Sequence, residues 1–121
     1  MTTIPDFNDS ELEIIKTTLQ ERYKQAIETQ LADSELKLDP SSLELTWCPT
    51  IYWEIGGVSF VIFKTAPQRY RCQFFYGEQE HYGTGIEEYD NIADCVTTLL
   101  QVQADHASQK ESQHSYNVSF K

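Results

Sequence analysis

Residues 51–63 run Ile51-Tyr52-Trp53-Glu54-Ile55-Gly56-Gly57-Val58-Ser59-Phe60-Val61-Ile62-Phe63. Two β-rich runs flank a pair of glycines, and both glycines accept positive φ, so a two-residue type I′ hairpin is expected. That turn dictates the register. Ile55 faces Val58, Trp53 faces Phe60 and Ile51 faces Ile62, which places six apolar side chains on one face of the ribbon. A slip of one residue would turn all six to water. The opposite face then carries Tyr52, Glu54, Ser59, Val61 and Phe63.

Working toward the C-terminus, a turn over Thr65-Ala66-Pro67-Gln68 leads to a strand from about Arg69 to Tyr76. A four-residue loop would oppose Arg71 to Ile62 and drive a charge into the core. A loop of three or five residues instead puts Tyr70, Cys72, Phe74 and Tyr76 on the core face, and Arg69, Arg71, Gln73 and Phe75 on the other. The second register is the expected one, because an unpaired buried charge is costly. A second helix is expected after Asn91, which can cap it, with Ile92, Cys95, Val96, Leu99, Val102 and His106 on its apolar side and an end near Ser108. Residues 108–115 (SQKESQHS) read as a short polar linker. Tyr116, Val118 and Phe120 then alternate as a final short strand.

Working toward the N-terminus, Leu43, Leu45 and Trp47 alternate with Glu44 and Thr46 as a half-buried strand, ended by Cys48-Pro49. Before it, Leu12, Ile15, Leu19, Tyr23, Ile27 and Leu31 recur at steps of three and four, one apolar stripe of a helix from about Asp9 to Ala32. Asn8 and Glu11 form a capping box, and Phe7 and Leu12 hold the positions of a hydrophobic staple. The expected fold is a single α+β domain over residues 1–121, a two-layer structure in the order α-β-β-β-β-α-β. Two helices pack on one face of an antiparallel sheet of four to five strands.

The composition narrows the function. The chain has 121 residues and a formal net charge of −10, and 40% of it is hydrophobic, too much for a disordered chain. Residues 78–106 hold seven acids and no base. Such a field opposes binding to a phosphate backbone, which needs clustered Lys and Arg. No apolar run approaches the roughly 18 residues that span a bilayer, and the first nine residues lack the pattern of a signal peptide. Cys48, Cys72 and Cys95 are odd in number and widely spaced, which fits free thiols in a cytoplasmic protein.

Motifs that carry chemistry are sparse. Gly83-Thr84-Gly85 lacks the spacing and the lysine of a phosphate loop. No Cys-x-x-Cys suggests zinc, and neither a catalytic set nor a cofactor is indicated. Cys95 and His106, eleven positions apart on one helix, lie about 16 Å apart at 1.5 Å per residue, too far for a thiolate–imidazole pair. Glu78, Glu80 and His81, just past a strand end, are the best polar cluster, and a pocket near Glu78–Tyr82 would serve a ligand-binding protein or an enzyme.

The more informative surface is the second sheet face, where Tyr52, Val61, Phe63, Arg69, Arg71 and Phe75 combine aromatic residues with arginines, a composition enriched at interfaces. The sequence therefore points to a small acidic protein-interaction module, an adapter, chaperone-like or regulatory protein with a protein partner and a homodimer as its expected assemblies. An acidic inhibitor of a basic partner is the further alternative.

Overall fold

The structure, a computed structural model, describes residues 4–77 and 80–119. Its elements are α1 (Asp9–Tyr23), β1 (Gln30–Leu36), β2 (Thr46–Ile55), β3 (Val58–Ala66), β4 (Arg69–Phe75), β5 (His81–Tyr82) and α2 (Ile92–Ser119). The five strands form one antiparallel sheet in the order β1-β2-β3-β4-β5. The two helices complete an α+β two-layer fold, α2 lying against β4 and α1 against α2. No helix among the described residues is long and apolar enough to cross a membrane.

The β2–β3 hairpin has the expected register: Ile51↔Ile62, Trp53↔Phe60 and Ile55↔Val58. Gly56 (φ +60°) and Gly57 (φ +81°) occupy the turn, in backbone conformations that other residues adopt only with strain. The Trp53 and Phe60 rings stack at 5.3 Å, and both are buried. On the β4 side, Ile62 opposes Cys72 and Phe60 opposes Phe74, so the apolar face continues across three strands. The device that sets this parity is a β-bulge. Ala66 pairs with Arg69 around Pro67-Gln68, but the register shifts between Lys64 and Ala66, leaving Thr65 unpaired. One extra residue on β3 turns Tyr70, Cys72 and Phe74 inward and Arg71 outward.

Both helix starts follow the sequence. Asn8 and Glu11 exchange both capping-box hydrogen bonds, and the Asn91 side chain accepts the Asp94 N–H at 3.1 Å. Ile15 and Leu19 of α1 and Cys95, Val96 and Leu99 of α2 are fully buried over the sheet.

Three expectations are corrected. The helix expected to Ala32 stops at Tyr23, where Lys24 takes a left-handed conformation (φ 58°) and its N–H bonds to the Gln20 carbonyl. Tyr23 and Ile27 still reach the core, but Gln30–Leu36 pairs with β2 as strand β1. A seven-residue ladder overrides the local helical propensity, as tertiary pairing commonly does. The strand expected over Leu43–Trp47 begins only at Thr46 and runs through Pro49. Proline is tolerated there because the β2–β3 ladder starts at Thr50↔Phe63, so no hydrogen bond on that side is lost. Leu43, Leu45 and Trp47 are consequently exposed rather than half-buried. Finally, the linker at 108–115 and the last strand are absent. The helix continues to Ser119, through a segment free of Gly and Pro and containing Gln, Lys and Glu; Phe120 lies outside the described residues.

Burial makes Trp53 the hinge of this packing, although its indole N–H has no hydrogen-bond acceptor within the described structure. Trp53→Ala should destabilise the fold by about 3–5 kcal/mol in urea unfolding. Trp53→Phe should cost clearly less, since it retains a stacking ring and removes the unpaired donor.

Candidate functional site

The sheet register brings the expected aromatic and arginine residues to one face. Tyr52, Val61 and Gln73 lie side by side, as do Thr50, Phe63 and Arg71, with Glu54, Ser59 and Phe75 in the next row. Much of this face is used within the chain. Val61 is buried, and Tyr52, Phe63 and Phe75 are half-buried, while Arg69 is exposed. Arg71 donates to the Glu88 carboxylate at 3.3 Å and to the Leu38 carbonyl at 3.4 Å, with Glu87 at 4.0 Å. The Thr65 hydroxyl donates to the same Glu88 carboxylate at 3.0 Å. Chain segments on both sides of the sheet thus converge on one end of the face and hold its central arginine.

Of the polar cluster, Glu78 lies outside the described residues. Glu80 is exposed, and His81 is exposed and stacked on Phe75 at 4.7 Å. Among the described residues no group of three His, Cys, Asp or Glu side chains could hold a metal ion. His106 sits apart from Cys95, in an aromatic enclosure of Phe74, Tyr76 and Tyr82, with Nδ1 3.0 Å from the Tyr76 hydroxyl. Cys95 meets Cys72 of β4 instead. Their thiol hydrogen bond, reinforced by burial, pushes the Cys95 thiol well up, which makes it a poor nucleophile. All three cysteines are free.

A buried charged cluster escaped the sequence reading. Lys64 Nζ donates to Glu11 Oε1 at 2.8 Å and to the Asp6 carbonyl at 3.1 Å, and the Tyr70 hydroxyl donates to the other Glu11 oxygen. The Asn8 N–H, part of the capping box, completes the set at 2.7 Å. Lys64 is 2% exposed and the Glu11 side chain 7%. Burial alone would raise the Glu11 carboxyl. The hydrogen bonds from Lys64, Tyr70 and Asn8, with the attraction of the Lys64 charge, outweigh it and hold the group below its ordinary value. Burial and the Glu11 bond push the Tyr70 phenol upward. The signal was present in the sequence, because Lys64 continues the inward alternation of Val58, Phe60 and Ile62. Closed to solvent, the cluster clamps the start of α1 to the sheet.

The open surface lies beside this clamp, along β1 and the connection that follows it. No residue of β1 is buried, and Leu31, Leu43, Leu45 and Trp47 are 61%, 93%, 56% and 61% exposed. Between β1 and the start of α1 runs a groove of about 350 Å³, lined by Asp6, Phe7, Leu31, Ala32, Asp33, Pro49 and Thr50. Compared with protein-family models, curated proteins and solved structures, the chain matches none.

The clamp has a pH signature. Glu11 is held below its ordinary pKa of 4.5, so its contribution to stability is complete above that value and is lost as pH falls through the folded-state pKa. Urea unfolding of Glu11→Gln should show a weaker acid dependence than wild type across that window. Lys64→Ala should cost about 3–5 kcal/mol, because it strands a buried carboxylate.

Proposed function

We propose that this protein is a small acidic protein-interaction module, of adapter, chaperone-like or regulatory type, that works through the β1 side of its sheet. The observation that supports the reading is the uncovered run of Leu31, Leu43, Leu45 and Trp47. Single exposed apolar residues are ordinary on a protein surface. Four large ones, Leu31 on β1, Leu43 and Leu45 on the connection and Trp47 at the start of β2, have the character of an interface centre, where tryptophan contributes disproportionately to affinity. The aromatic and arginine face contributes less in this reading, because Arg71 is engaged by Glu88 and Leu38, and a homodimer through that face has correspondingly weaker support. Three free thiols fit a reducing compartment such as the cytoplasm.

The test uses the immobilised protein as bait in extract from the native host. Trp47→Ser and Leu45→Ser should each leave stability within about 0.5 kcal/mol of wild type, as exposed positions do, and should lose the captured partner. Arg69→Glu, on the opposite face, should retain it. Capture that survives both β1-side changes and fails with Arg69→Glu would return the interface to the aromatic and arginine face.

A further inference from the structure

We infer that the exposed edge of β1 takes up an extended basic segment of another protein as a sixth strand; the inference rests on the interaction reading above and names the partner's chemistry. The sheet has two edges, and they are unlike. β5 is two residues long and offers little to pair with. β1 is seven residues long and is hydrogen-bonded only to β2, in a regular ladder without a bulge. Alternate residues of such a strand direct backbone N–H and C=O groups outward. Natural edges are commonly guarded by lysine, proline or a bulge. Gln30–Leu36 contains neither of those residues and no bulge.

The side chains specify the occupant. In the β1–β2 register Leu31 lies opposite Ile51, Asp33 opposite Pro49 and Glu35 opposite Trp47, so Leu31, Asp33 and Glu35 share the face that borders the groove. Asp6 joins Asp33 in lining that groove, and Trp47 offers an exposed indole beside Glu35. From Gln25 to Leu36 there are three acids and no base. An incoming strand with Lys or Arg at alternate positions would set one cation toward Asp33 and Asp6 and the next toward Glu35, where an arginine can also lie over the Trp47 ring. Its intervening side chains would meet Ala32, Ser34 and Leu36 on the other face. A second copy of this chain fits poorly. Antiparallel pairing of two β1 strands centred on Asp33, the register of fullest overlap, sets Asp33 against Asp33, and centring on Ser34 sets Asp33 against Glu35, like charges that are destabilising when directly opposite; centring on Ala32 opposes Leu31 to Asp33, which makes neither an apolar nor an ionic pair.

The experiment measures fluorescence anisotropy with a labelled peptide alternating Lys with Thr or Val over the length of β1. Two comparison peptides carry Glu in place of Lys, or Pro in place of the central Thr or Val with the charge unchanged. Both should bind at least about tenfold more weakly than the Lys peptide, the first through charge and the second through the lost backbone pairing. The double variant Asp33→Lys with Glu35→Lys, at two exposed positions, should keep its thermal melt and reverse the preference toward the Glu peptide. Equal binding of the Lys and Pro peptides would overturn the inference in favour of unspecific charge attraction. A wild-type dimer abolished by Ser34→Pro in sedimentation equilibrium would overturn it in favour of a second copy. Random-peptide display against wild type and Trp47→Ser separates the two levels of the argument. Enriched peptides that need Trp47 but lack alternating bases would overturn the basic-strand inference alone. No enriched peptide at all would count against both it and the interaction reading.

Discussion

The antiparallel pairing of Ile51–Ile55 with Val58–Ile62, closed by Gly56-Gly57, is the constraint on which the remaining structure hangs. Side chains alternate along a strand, so once the turn opposes Trp53 to Phe60 the identity of both sheet faces is determined. The helices must then cover the face bearing Ile51, Trp53, Phe60 and Ile62, and α1 and α2 do so with Ile15, Leu19, Val96 and Leu99. The bulge at Thr65 carries the same parity into β4. Without it, the tight Pro67-Gln68 connection would point Arg71 and Gln73 at the helices.

That parity also places Lys64 inward, and the fold answers with a counter-charge rather than with an apolar residue. Glu11 is shared between three tasks: it closes the capping box of α1, neutralises Lys64 and accepts from Tyr70. A buried ion pair of this kind adds little net stability over apolar packing, but removing one member leaves the other stranded. Its effect is one of position. It attaches the first turn of α1 and the Asp6 backbone to the end of β3, which sets the wall of the groove beside β1.

What could be read in advance followed from strong periodicity and turn chemistry. The hairpin register, the inward set on β4 and both helix caps are local patterns, and the structure has them. Two of the three misses share a physical origin in long-range pairing, the third being the helix that runs on through residues 108–119. Leu31 fits the helical stripe of Leu12 through Ile27 as well as it fits a strand, and only the ladder from Gln30↔Tyr52 to Leu36↔Thr46 decides between them. Pro49 reads as a strand end unless the β3 ladder is known to begin one residue later. The candidate site divides in the same way. The residues of the aromatic and arginine face were correctly brought together by parity, yet their engagement by Leu38, Glu87 and Glu88 depends on where two connections cross the sheet, which no local pattern encodes.

The consequence is an asymmetric sheet, with one long open edge and one short one. Both helices gather over the β2–β4 portion, and β1 is left projecting beyond the core with no buried residue. A projecting strand of this length would invite self-pairing if it were neutral and flat. Asp33 and Glu35 on its groove-side face set like charges against each other in a second copy, which discourages that outcome. They leave the same edge open to an oppositely charged chain. On the proposed reading, the acidic excess that argues against nucleic acid would serve two purposes on β1, holding copies of the protein apart and selecting the chemistry of whatever pairs with it.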